Sequence, residues 1–84
     1  MNAPRLKVLV VGATGSIGRL AVDEALRQGH AVRALVRDLG RARDLHAGAE
    51  RVVGDLTQVE SVSRAVDGVD AIVFTHGGDG GGKI

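Results

Sequence analysis

Apolar residues along this chain gather into four short runs, Leu6 to Val11, Ala31 to Arg37, Arg51 to Val53 and Val69 to Phe74. The first is rich in Val and shows no polar alternation, so it reads as a strand buried on both faces in the middle of a parallel sheet. The segments between the runs have a different rhythm. Ser16 to Gln28 predicts a helix with Ile17, Leu20, Ala21, Ala25 and Leu26 on its inner side, and Asp23, Glu24, Arg27 and Gln28 in solvent. Gly29 follows as its left-handed C-cap. Asp38 to His46 offers only Ala42 and Leu45 as inward residues, which predicts a short helix or a single turn, with Gly48 leading out. Thr57, Gln58, Val59 and Glu60 form a capping box that predicts a helix from Gln58, with Val59, Val62, Ala65 and Val66 as its apolar stripe and Gly68 at its end. Residues 1 to 5 are a polar lead-in, and Thr75 to Gly82 a glycine-rich run.

Strands alternating with helices through short loops predict an α/β fold with right-handed crossovers. The expected strand order is 3-2-1-4 in one parallel sheet with helices on both faces, all within a single domain spanning residues 1–84. In that order the last strand, Asp70 to Phe74, is a bare apolar edge of the kind that templates aggregation. Its single neighbouring helix is expected to leave residues of strands 1 and 2 partly wet. The sheet therefore looks like the first half of a doubly wound domain, whose edge is covered by the rest of a longer chain or by another subunit.

The chemistry is concentrated where the first strand ends. Gly12, Gly15 and Gly18 stand three apart between strand and helix. Gly12 allows a sharp turn, Gly15 brings no side chain between a ligand and the backbone, and Gly18 lets the helix lie close. A helix starting at Ser16 aims its free N–H groups and positive dipole end over Gly15, where a pyrophosphate is the expected guest. Thr14 and Ser16 can add hydroxyl donors, and both also suit an ordinary turn and helix start.

Val11-Gly12-Ala13-Thr14-Gly15-Ser16-Ile17-Gly18 resembles the glycine motif of the extended and atypical short-chain dehydrogenases/reductases. Ala34-Leu35-Val36-Arg37-Asp38 and Gly54-Asp55-Leu56 resemble most the NmrA-like, NAD(P)-binding branch, and the resemblance covers nearly the whole chain. It implies a Rossmann-type fold, with Gly12, Thr14, Gly15, Ser16, Ile17 and Gly18 against the cofactor. It also implies that Asp55 accepts from an adenine amino group while Leu56 packs on the ring, and that Thr75, His76 and Gly77 lie beside a ribose. The family's reductases carry a Tyr and, four positions later, a Lys as proton-donating pair. This chain has no Tyr, and its lysines are Lys7 and Lys83. Any such pair lies beyond Ile84, or such chemistry is not used.

Cofactor choice is read at the end of strand 2, where an acid suits the ribose hydroxyl of NAD and an arginine suits the 2′-phosphate of NADP. Arg37 favours NADP, because a guanidinium forks onto phosphate oxygens. Asp38 leaves NAD open if it points inward. Arg33, four residues back, is too far along the strand to take part. Arg19 can face a phosphate or simply solvent.

Composition narrows the rest. The 84 residues carry a formal charge of +1, with 11 basic and 10 acidic side chains interspersed, and a single aromatic. That leaves no stacking platform or basic face for nucleic acid. No run reaches membrane-spanning length, and the absence of Cys makes a cytoplasmic location the default. His76 is the one histidine near the inferred site and has no evident carboxylate partner, and the three histidines show no metal-ligand spacing. The expected function is NADP-dependent hydride transfer to a small carbonyl, quinone or alkene. A non-catalytic dinucleotide sensor and a nucleotide-sugar epimerase or dehydratase are the alternatives, since fold does not choose among them.

Overall fold

A strand without polar alternation must be covered on both sides, and the first strand is. The structure, a computed structural model, describes residues 5–13 and 15–75. It contains β1 (Lys7–Val11), α1 (Ser16–Arg27), β2 (Ala31–Val36), a 3₁₀ turn (Leu39–Ala42), β3 (Glu50–Val53), α2 (Val59–Val66) and β4 (Ala71–Phe74). The strands are all parallel in the expected order β3-β2-β1-β4. Helix and strand limits fall within two residues of those expected, apart from the 3₁₀ turn, which ends the helical stretch after Asp38 early.

Successive residues of β1 face opposite sides of the sheet. Val8 and Val10 join Val32, Ala34, Val36 and Val22 in the larger core, together with Ala42 and Leu45 as expected. Leu9 and Val11 join Leu35 and Ala65 in the smaller one. Helices lie over both faces, α1 on the first and α2 on the second.

The helices present only part of the faces expected of them. In α1 the buried residues are Gly18 and Val22, flanked by Ala21, Ala25 and Leu26, whereas Ile17 and Leu20 are 62% and 67% exposed. Gly18 decides the roll of the helix, because its missing side chain is the point of closest approach. In α2 the buried residues are Ser61 and Ala65, while Val59 is 80% exposed. Small residues bring this helix close, since Ser61 sits against Gly54, where an added Cβ would come within 2.8 Å of the Ser61 Cβ. That close seating corrects the expectation of wet strands, for Leu9, Val11 and Leu35 are all buried. Within the sheet, exposed apolar side chains belong to the two edge strands, Ile72, Val73 and Phe74 on β4 and Val53 on β3.

The capping box does not form either. Gln58 is the N-cap of α2 without a side-chain bond, and the Thr57 hydroxyl instead donates to Asp55 Oδ1 at 2.9 Å. The other end of α2 is held from the sheet. Arg33 Nη1 donates to the carbonyls of Ala65 and Asp67 at 2.7 and 2.8 Å and reaches that of Arg64 at 3.3 Å. Its Nε donates to Glu50, which Lys7 also approaches at 3.2 Å. A cation on the last carbonyls of a helix meets both their unpaired lone pairs and the negative dipole end.

Arg33→Met is expected to lower stability by about 1.5–3 kcal/mol, the scale of hydrogen bonds to a charged group, and to speed amide exchange throughout α2. The Arg33 bond, and then the Lys7 bond, hold the Glu50 carboxyl below its ordinary value of 4.5. A depressed carboxylate stabilises the fold above its unfolded value and loses that contribution as pH falls through the folded one. Thermal melts below pH 4.5 should therefore separate less between wild type and Glu50→Gln than melts at pH 7.

Candidate functional site

Four parallel strands place their C-terminal ends on one rim, and every expected site residue that is described lies along it. The chain leaves β1 through Gly12, whose φ of +86° only glycine adopts freely. The Gly15 N–H closes the turn onto the Gly12 carbonyl at 3.1 Å, and the Arg19 N–H returns to the Gly15 carbonyl at 2.9 Å to start α1. Gly15 is the N-cap and has no side chain with which to cover the helix end. The N–H groups of the first turn, beginning at Ser16 and Ile17, have no intrahelical acceptor and are left for a ligand. Both residues are exposed.

Two steric facts make this turn specific. A Cβ on Gly18 would lie 2.0 Å from the Gly12 carbonyl oxygen and 2.8 Å from Ala13 Cα, so the helix rests directly on the loop it follows. A Cβ on Gly12 would lie 2.4 Å from the Thr75 carbonyl oxygen. Thr75 clamps the loop from the end of β4, its N–H donating to Val11 at 2.9 Å and its hydroxyl shared between the carbonyls of Val11 and Gly12 at 3.0 Å each. Its hydroxyl is thus engaged by the protein, and only its backbone is left for the rim. Thr14, His76 and Gly77 lie outside the described residues.

Beyond the loop, Arg37 follows β2 and Asp55-Leu56 follow β3. A groove of about 360 Å³ opens between them and α2, lined by Arg37, Val53, Gly54, Asp55, Gln58, Ser61 and Arg64. Asp55 Oδ1 accepts from the N–H and hydroxyl of Thr57, both at 2.9 Å. These bonds, the backbone one first, hold its carboxyl below the ordinary value of 3.8, with a smaller contribution from the charge of Arg37. Leu56 is half exposed at the groove's lip. Asp38, the alternative ribose acceptor, turns away, for its Oδ1 accepts from the Gly40 N–H at 2.8 Å and caps the 3₁₀ turn. Arg19, exposed in the first turn of α1, lies 3.9 Å from Asp44. Among the described residues no group of three or more His, Asp or Glu could hold a metal ion.

Gln58, Ser61 and Arg64 were not expected at the site. Their spacing of three along one helix row is the signal that could have found them, but the valines between them carried the periodicity instead.

A parallel sheet with a glycine turn at its switch point, a helix end bared over that turn and a polar groove one strand away defines a dinucleotide-binding α/β domain. The chain belongs to the NAD(P)H-binding family, whose sequence pattern matches residues 12–83. It is 45% identical to the photosystem II assembly factor Ycf39 of Cyanophora paradoxa over 83% of this chain and 22% of that protein. It is 34% identical to isoflavone reductase homolog P3 of Arabidopsis thaliana, over 92% of this chain and 28% of that one. Among solved structures, AtPrR2 with NADP+ and (+)pinoresinol superposes with a TM-score of 0.73 at 33% identity, covering 90% of this chain and 27% of that one. Fold neighbours carry either NADP or NAD. The chain thus spans about a quarter of the length of the proteins it matches. No described helix is long and apolar enough to cross a membrane.

Gly18→Ala is expected to cost about 1–3 kcal/mol, as overpacking does, because the atoms it meets are backbone and cannot swing aside. Thr75→Val, which keeps the shape and removes the hydroxyl, should cost about 1 kcal/mol. Chemical denaturation of the two variants against wild type checks both, and a smaller effect for Gly18→Ala than for Thr75→Val would contradict the packing described.

Proposed function

We propose that the turn from Gly12 to Gly18 holds the pyrophosphate of NADP(H), and that the protein serves an NADP-dependent oxidoreductase reaction on a small carbonyl, quinone or alkene. The observation that carries this reading is the turn itself. Gly12 and Gly18 are occupied to contact by the protein's own backbone, while Gly15 caps α1 with no side chain. The cradle fits a diphosphate, with N–H groups of Ser16 and Ile17 as donors and the helix dipole favouring the charge. Gly15 leaves room for backbone approach, and Thr14 adds a hydroxyl.

Arg37 supports NADP over NAD, because Asp38 is committed to the 3₁₀ turn and the guanidinium is the rim's charge at that point. Asp55, held ionised, accepts from the adenine amino group through its second oxygen, and Leu56 lies against the ring. The backbone of Thr75, with His76 and Gly77, flanks the ribose. When bound, the nicotinamide supplies the hydride chemistry. These residues bind and orient the cofactor, and the proton donor is assigned to residues outside 1–84, since the chain has no Tyr and Lys7 is paired with Glu50 at the opposite end of the sheet.

A second reading, a non-catalytic dinucleotide-dependent factor, has its own support in the 45% identity to a protein named as an assembly factor. Turnover separates the two. Oxidation of NADPH with a panel of carbonyls and quinones is expected under the first reading, and binding without turnover under the second. In fluorescence titrations Arg37→Glu should weaken NADPH binding at least about tenfold and NADH binding far less. Equal loss of both removes the assignment of Arg37.

A further inference from the structure

The groove contains a second guanidinium that the reading above does not use. Arg64, on the exposed side of α2, lines it together with Arg37, and Asp55 is the one carboxylate there. Other arginines are engaged: Arg33 on helix carbonyls and Glu50, Arg27 on Glu24, and Arg51 on the carbonyls of Ala42, Leu45 and Ala49. Among the described residues the side chains of Arg37 and Arg64 have neither a hydrogen bond nor an ion pair. Asp55 already accepts two bonds from Thr57 on Oδ1, and its single negative charge faces two guanidinium charges in the groove lining.

Two cations and one carboxylate lining the same groove leave it a net positive charge, which an anion would offset. The groove's volume of about 360 Å³ falls within the range of small-molecule sites. Its neutral polar lining, Gln58 and Ser61, lies on the same row of α2 as Arg64, so the helix presents donors to whatever Arg37 binds. We propose that Arg64 is a second specificity-determining residue, reaching the cofactor's 2′-phosphate from α2 while Arg37 reaches it from the end of β2. The phosphate is a dianion with three terminal oxygens, enough acceptors for two guanidinium groups.

This inference rests on the assignment of Arg37, and the test keeps the two separable. The full-length protein is titrated calorimetrically with adenosine 2′,5′-bisphosphate and with adenosine 5′-monophosphate, as wild type, Arg37→Met, Arg64→Met and Arg64→Lys. Arg64 is exposed, so its replacement leaves the core intact. Arg64→Met is expected to weaken the bisphosphate about tenfold and leave the monophosphate within about twofold, with Arg64→Lys recovering part of the loss. The salt dependence of bisphosphate binding should also become shallower in Arg64→Met. If Arg37→Met discriminates between the two nucleotides and Arg64→Met does not, the role of Arg64 is overturned and that of Arg37 stands. If neither variant discriminates, the phosphate lies elsewhere and both assignments fall.

Discussion

The structure depends on one close approach, the backbone of Gly18 against the carbonyl of Gly12. No side chain fits between them, so the first helix must begin immediately after the strand and must run back across the sheet at a fixed roll. From that roll follows the choice of Val22, with Ala21 and Ala25 beside it, as the buried row. The same contact leaves the opening of the helix facing outward over the rim. A core constraint and a ligand-facing N-terminus are therefore one feature, which is why a change at Gly18 acts on both. Thr75 reinforces it from across the sheet by binding the two carbonyls on either side of the turn.

Strand order was legible because it needs only coarse information. A Val-rich run without alternation marks an interior strand, and short crossovers with one handedness leave few arrangements. The buried faces of the helices were legible only in part, with Ala21, Ala25, Leu26 and Ala65 inward as expected and Ile17, Leu20 and Val59 outward, for a shared physical reason. Periodicity counts apolar bulk, whereas Gly18 and the pair Ser61 and Ala65 seat their helices by being small. Smallness permits contact at distances that a Leu or Val row cannot reach, so Ile17, Leu20 and Val59 end outside while Val22 is the one bulky residue on the buried row of α1. The capping box failed through competition. Asp55 lies two residues before Thr57 and captures both its N–H and its hydroxyl, a local bond that forms without ordering any part of the helix.

Much the same division runs through the site. The rim position of the glycine turn, Arg37 and Asp55 was legible because each follows the end of a strand, and strand ends of a parallel sheet share one rim. Asp38 illustrates what sequence leaves open, since whether it faces a ligand depends on the turn it caps, and only the coordinates show Gly40 in its reach. Arg64 was hidden for the opposite reason. It lies a full helix away from the nearest motif and reaches the groove only because Gly54 lets α2 settle close to β3.

The distribution of arginines ties these observations together. At the N-terminal end of the sheet Arg33 is 11% exposed in its side chain and joins β2, β3 and α2 through carbonyl oxygens and Glu50, with Lys7 adding β1. At the C-terminal rim Arg37 stands without such partners among the described residues. The two ends differ because a helix presents carbonyls at one end and N–H groups at the other. Arg33 answers the carbonyl end of α2 and locks it, while the rim gathers the first-turn N–H groups of α1 and the Arg37 guanidinium, with Asp55 as the carboxylate lining the same groove. A fold whose helices end in this way holds its frame through carbonyls at one end of the sheet and keeps the opposite, N–H end of each helix at the rim. The placing of the two helix ends follows from the parallel arrangement, and Arg33 and Arg37 add to it the charges that the sequence supplies.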